Sequence, residues 1–234
     1  MEPARPFENS HFARTAKFPA MGFGSQDEFL AYMNANAEIL AQRALYEQAL
    51  GSSDPAIIQP GTCAPCLRPV VFSSPTAGAK LAPNGKRVPD FCSAMRCDCP
   101  SALSGQQRAM LHFVLANGLL PWTRILLAGP PDAVDTRIAA LAGTVVTADS
   151  PHDANFHLAI SRMQRSDSFT PLAQALLPGA RLIFTTPFDP DAASSWDFLQ
   201  AARDAGFREA KAYLYWSEEL GYLGTQNWIF RAIK

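Results

Sequence analysis

The sequence has no apolar run approaching the roughly 18 residues that a helical bilayer span needs. Its N-terminus, MEPARPFENSHFARTAKF, carries basic residues but no apolar h-region, so no secretory signal is expected. Neither sign of charge dominates: 20 Lys and Arg stand against 21 Asp and Glu, a net charge of −1. No global field therefore favours nucleic acid or an anionic membrane. There is no internal repeat and no low-complexity tract. Cysteine is absent before Cys63 and after Cys99. The expected compartment is the cytoplasm, where reducing conditions keep thiols free or bound to metal.

What is present is 48% hydrophobic residues over 234 positions, enough for one medium domain and an appendage. Residues 1–24 read as an irregular arm. Ser25 and Glu28 make a capping box, and apolar residues at helical spacing from Phe29 to Ala49 predict one long helix over 26–50, stopped by Gly51. Its apolar stripe is expected to pack within the chain, against a second copy in a homodimer, or against a protein partner. Residues 51–105 are rich in Pro, Gly and Ser and hold every cysteine, with a short strand expected around Pro69 to Phe72. A helix capped by Ser104 follows.

From Trp122 strands and helices alternate. Strands are predicted at 124–129, 144–149, 156–161 and 180–188, and helices at 132–143, 168–179 and 192–207. Two final strands, 208–217 and 225–234, have no helix between them. The pattern predicts an α/β fold: a mostly parallel sheet with helices on both faces and an antiparallel hairpin on its edge. The expected divisions are an arm and helix (1–55), a cysteine-rich module (56–105) and a sheet domain (106–234).

Cys63-Ala64-Pro65-Cys66 is a C-x-x-C pair, and Cys92, Cys97 and Cys99 follow after a Pro- and Gly-rich spacer. Two such knuckles can place four thiolates around one tetrahedral ion. A metal also stabilises a segment too short to build a core. Structural zinc held by Cys63, Cys66, Cys97 and Cys99 is the expected reading, with Cys92 an alternative to one of the last pair. An iron–sulfur cluster, a redox thiol pair and unliganded cysteines are the other readings. His112 is expected to be packed or half-exposed, and His157 to be a satisfied core histidine. His152 falls in a loop at the head of a strand.

Open parallel sheets bind ligands beyond the carboxyl ends of their strands. The loop after the first strand reads Leu127-Ala128-Gly129-Pro130-Pro131-Asp132, with one glycine where close cofactor approach usually takes several. The second strand ends in Asp149, either a ribose-gripping acid or a turn cap.

In order, RILLAGPPD, VVTAD, FHLAIS, LAQALLPGARLIFTTPF and the C-terminal AGFREAKAYLYWSEELGYLGTQNWIFRAIK resemble the class I S-adenosylmethionine-dependent methyltransferases. The cysteine segment running into Ser104-Gly105-Gln106-Gln107-Arg108-Ala109 is similar to the module that precedes the fold in one subgroup. The resemblance covers about 60–234. It implies a Rossmann-like methyltransferase sheet, S-adenosylmethionine as cofactor near Ala128, Gly129, Asp132, Asp149 and Ser161, and a structural zinc ion. The chain departs from the family in its proline-bearing loop and in the short span between Asp149 and Phe156, where one strand–helix unit is missing. His157 also stands where the family has an acid.

Two functions are expected from this. One is methyl transfer to a small-molecule or sugar-like acceptor, with His152, Glu218 and Tyr222 as catalytic candidates. The other is a methyltransferase-fold protein without cofactor binding, serving as a scaffold or partner subunit or carrying different chemistry. The basic residues of the cysteine region read as a solvated face, so nucleic acid is not the expected partner.

Overall fold

The computed structural model describes residues 17–82, 84–100, 102–117, 119–129, 132–147, 155–163, 168–224 and 227–234. Pro130, Pro131, Asp149 and the Ser150–Asp153 segment with His152 lie outside the described residues.

In chain order the elements are β1 (Ala20–Phe23), α1 (Gln26–Ala35), α2 (Ala37–Leu50), β2 (Ala56–Cys63), β3 (Arg68–Pro75), β4 (Lys80–Leu81), β5 (Arg87–Val88), α3 (Phe91–Ala94), β6 (Arg96–Cys97) and α4 (Gly105–Ala116). They continue with β7 (Arg124–Ala128), α5 (Ala133–Ala139), β8 (Thr144–Thr147), β9 (Phe156–Arg162), α6 (Thr170–Ala175), β10 (Leu176–Thr185), α7 (Ala193–Asp204), β11 (Glu209–Tyr215) and β12 (Trp228–Ile233). Among the described residues no helix is long and apolar enough to cross a membrane.

The chain forms two compact units that interleave in sequence. One comprises residues 1–19, 33–118 and 215–227, and the other 20–32, 119–214 and 228–234. The helix α4, expected to open the sheet domain, groups with the cysteines.

The second unit carries a seven-stranded sheet in the order β1-β11-β12-β10-β9-β7-β8. Strands β8, β7, β9 and β10 run parallel, and β12 is antiparallel to both β10 and β11. This is a mixed α/β sheet consistent with a Rossmann-like fold. The central strands are buried on both faces, as their unbroken apolar runs require: Ile125 to Leu127, Ala159 to Ile160 and Leu182 to Phe184. Aromatic packing continues through Phe23, Phe29, Trp196 and Trp228, and Phe184 stacks on Phe230 at 5.1 Å.

Several expectations change here. The 26–50 helix is two helices, interrupted at Asn36, whose φ of −118° and ψ of 18° leave the helical region. Among the described residues α2 is only partly covered: Leu40 and Ala44 are half-buried, Tyr46 and Leu50 pack on the cysteine-side core, Ile39 and Leu45 are exposed, and the one buried residue of the helix is Glu47. The predicted 168–179 helix ends at Ala175, because Leu176 pairs with Phe156 and the chain enters β10 through an irregularity before Arg181. The C-terminal strand pair is not the sheet edge, since β1 lies outside β11. Among the described residues β8 is the edge strand, and in sequence only residues 148–154 separate Thr147 from Asn155.

The other unit contains the antiparallel sheet β2-β3-β6 and the small ladder β4-β5. Strands β2 and β3 pair from Ala56 with Pro75 down to Cys63 with Arg68, and Phe72 pairs with Cys97 of β6. Helix α4 has the complete capping box that the sequence suggests, Ser104 with Gln107.

Candidate functional site

The β2–β3 connection is a tight knuckle. Cys66 and Leu67 both donate their backbone N–H groups to the Cys63 carbonyl, at 3.0 and 2.8 Å. This brings the Cys63 and Cys66 side chains to one side of the turn. The pairing of Cys97 with Phe72 then carries β6 to the same place. Together, the sulfurs of Cys63, Cys66, Cys97 and Cys99 all lie within 4.8 Å of one another. Tetrahedral zinc, with bonds of about 2.3 Å, holds its sulfurs about 3.8 Å apart. The cluster therefore has the donor chemistry and the compactness that one such ion takes.

In this structure Cys97 and Cys99 are joined as a disulfide, while Cys63, Cys66 and Cys92 are thiols. A cross-link across a sequence separation of 2 closes almost no loop, so it removes little chain entropy. The convergence of four sulfurs is the feature that a metal explains and a short cross-link does not. Cys63 is held neutral by its hydrogen bond with Cys66, then by burial and by the Cys66 charge. Thiols this close ionise together only around a cation.

Cys92 stands apart. Its sulfur is 3.8 Å from the Tyr215 hydroxyl, and burial pushes its thiol up to about 11.

Arg108, the basic residue of the Ser104–Ala109 junction, belongs to the same unit as the cysteines. It is 0% exposed. Its guanidinium donates to the carbonyls of Met95 (3.0 Å), Leu103 (2.9 Å) and Gly221 (2.8 Å). Among the described residues no carboxylate pairs with it. Burial lowers its pKa, while Tyr222, Cys63 and Cys66 act in the opposite direction. If the four sulfurs held a dication as thiolates, two negative charges would remain, and the buried guanidinium would offset part of them. The only sequence signal is one basic residue on a helix whose neighbours are apolar.

Of the catalytic candidates, Tyr222 is 1% exposed, with its hydroxyl 3.2 Å from His112 Nδ1 and 3.4 Å from the Arg108 carbonyl. Burial raises its pKa. Those hydrogen bonds hold the hydroxyl within the cysteine-bearing unit. Glu218 is exposed in the following turn, where its carbonyl accepts from Gln59 and its carboxylate raises the Tyr46 hydroxyl, after burial, to about 12. His112 is buried, as expected. His157 is not a core residue: it is exposed and accepts the Arg124 N–H at 3.1 Å.

At the carboxyl end of the parallel strands the structure joins most of the described cofactor candidates. Strand β7 lies between β8 and β9, so the chain leaves it to one side and returns on the other. Ala128 pairs directly with Ser161 across the β7–β9 register. Gly129 turns with φ +101°, and an added Cβ would meet nothing closer than the Arg162 carbonyl at 3.9 Å. Asp132, however, is committed. Its carboxylate caps α5 through Val134 N (2.7 Å) and Asp135 N (3.2 Å) and takes Arg162 at 2.6 Å. Arg162 also reaches both Asp135 oxygens, at 3.1 and 3.2 Å. Among the described residues, the end of the sheet thus leaves room for close backbone approach at Gly129. It offers no free acidic anchor among the described residues.

No protein-family model matches the chain, and no curated protein matches it. Among solved structures, it is similar to an S-adenosylmethionine-dependent methyltransferase from Thermotoga maritima, a possible histamine N-methyltransferase. The identity is 16%, over 56% of this chain and 87% of that one, with a TM-score of 0.35. A protein of unknown function from Deinococcus radiodurans is similar at 14% identity over 53% of this chain and 83% of its own, with a TM-score of 0.26.

Proposed function

We propose that the chain is an S-adenosylmethionine-dependent methyltransferase whose cysteine-bearing unit is held by one structural zinc ion, and whose acceptor is a small molecule or sugar-like compound. The observation that carries the reading is the switch point at β7, where Ala128, Gly129 and Ser161 meet beyond the parallel strands. The cofactor would supply an electrophilic methyl group. The protein's part is to position the acceptor and exclude water, and a base assists only if the acceptor is a hydroxyl. Asp149 is the proposed ribose anchor and His152 the proposed base. Cys63, Cys66, Cys97 and Cys99 would hold the zinc as thiolates, with the last two reduced.

The second reading is a methyltransferase-fold protein without cofactor binding. The Arg162 bridge to Asp132 and Asp135 favours it, because it occupies the acid nearest the turn. Calorimetric titration of the full chain with S-adenosylmethionine separates the two. Saturable binding at micromolar cofactor supports the enzyme. No heat at millimolar cofactor removes it in favour of the second reading.

A further inference from the structure

Within the cysteine-bearing unit lies a cavity of about 580 Å³, walled by residues of α2, the β4–β5 ladder, α3 and the segment before β12. That volume falls in the range of roughly 300–1,000 Å³ typical of small-molecule sites. The wall includes Glu47, Ala79, Val88, Phe91 and Cys92.

Glu47 is the unusual member. It is 7% exposed, and it is the buried residue of a helix whose Ile39 and Leu45 face solvent. Its Oε1 accepts from Trp216 Nε1 at 2.8 Å and from the Gly224 N–H at 2.7 Å. Among the described residues no hydrogen bond reaches Oε2 and no cation pairs with the carboxylate. Glu47 itself lines the cavity. A buried carboxylate with a free oxygen costs stability until a cation or donor meets it.

The other charges on the wall are Asp90 and Lys80. The Asp90 carboxylate is engaged at the start of α3, by Cys92 N at 3.2 Å and Ser93 Oγ at 2.7 Å. Arg43 of α2 also acts on Glu47, so the local charges balance, and it is the Oε2 atom without a hydrogen bond that calls for a charged donor. A bare metal ion does not suit the site. Hard cations take six or more oxygens, and the group of potential metal ligands found among the described residues is the four-cysteine cluster elsewhere in the unit. Val88, half-buried on the same wall, instead offers apolar surface.

We propose that this cavity binds a small organic amine, its protonated nitrogen on Glu47 Oε2 and its apolar body against Val88. The site is independent of any cofactor on the sheet.

The test uses the full chain with benzylamine and its neutral analogue benzyl alcohol, titrated by protein-observed NMR. Benzylamine is expected to bind about tenfold or more tightly than the alcohol. Glu47→Gln keeps an Oε1 acceptor for Trp216 and Gly224 and is expected to lose that preference. Ala79→Phe, which fills the cavity from a half-exposed loop, is expected to abolish binding of both probes. Equal binding of the two probes to the native chain would overturn the proposal. So would undiminished preference in a folded Glu47→Gln protein, or no binding of either probe.

Discussion

The Arg108 guanidinium lies over the ring of Phe72, with 4.4 Å between its carbon and the ring centroid. Phe72 in turn pairs with Cys97, so one aromatic ring joins the buried cation to the cysteine cluster. Three carbonyls and one π face replace the carboxylate that a buried arginine usually finds. Arg108→Ala is expected to lose about 3 kcal/mol or more in urea unfolding, since it removes three charge-assisted hydrogen bonds. Arg108→Met keeps most of the volume and is expected to lose less. A loss under about 1 kcal/mol for the alanine variant would show that the guanidinium is not a structural counter-charge.

Metal content tests the cluster itself. The reduced chain is expected to carry about one equivalent of zinc. Single Ser substitutions at Cys63, Cys66, Cys97 or Cys99 are expected to drop it below half and lower the melting temperature. Cys92→Ser is expected to retain full metal, because Cys92 lies beside Tyr215 and not in the cluster. Full zinc in both Cys97→Ser and Cys99→Ser would contradict the assignment.

The features legible in the sequence are the locally determined ones. The Cys63–Cys66 knuckle, the Ser104–Gln107 capping box and the strand cores each depend on residues a few positions apart. Glu47 was not legible, because its burial comes from Trp216 and Gly224, 169 and 177 positions away. Leu176 to Gly179 resembled a helix closing on Pro-Gly, but pairing of Leu176 with Phe156 prevailed over local propensity. The exposure of His157 was within reach. Phe156 and Leu158 are both buried, so strict alternation along β9 turns the residue between them outward. Of the candidate site, the grouping of the four cysteines followed from spacing, while Arg108 and Arg162 act through partners that only the fold brings near.

Glu47 predicts a pH signature. Burial raises its pKa, more than the Gly224 and Trp216 hydrogen bonds and Arg43 lower it. The folded state then holds a proton that the unfolded chain releases at the ordinary glutamate pKa. The contribution to stability is full below that value and declines as pH rises through the raised folded value. Urea unfolding of the native chain across this window should show the decline, and Glu47→Gln should not. Parallel pH profiles for the two proteins would rule out the shift.

The Asp132 network separates capping from ion pairing. Asp132→Ala removes the cap of α5 and the Arg162 contact together, and should cost about 1–2 kcal/mol. Asp132→Asn keeps the acceptor for Val134 and Asp135 N–H and should cost only a few tenths, because a partly exposed ion pair contributes little. The comparison is read by denaturant unfolding, and equal losses would mean that the ion pair carries the stability.

The interleaving of the two units has a genetic consequence. Gly221, whose carbonyl receives Arg108, and Leu223, which packs in the cysteine-side core, are encoded more than a hundred residues after Cys99. Residues 56–105 are therefore not a cassette that recombination could lift out or graft onto another protein. Any fragment boundary placed between the cysteines and the sheet strips the module of its last core residues. Lineages that keep the cysteine cluster with its complete core must inherit the two units as one gene.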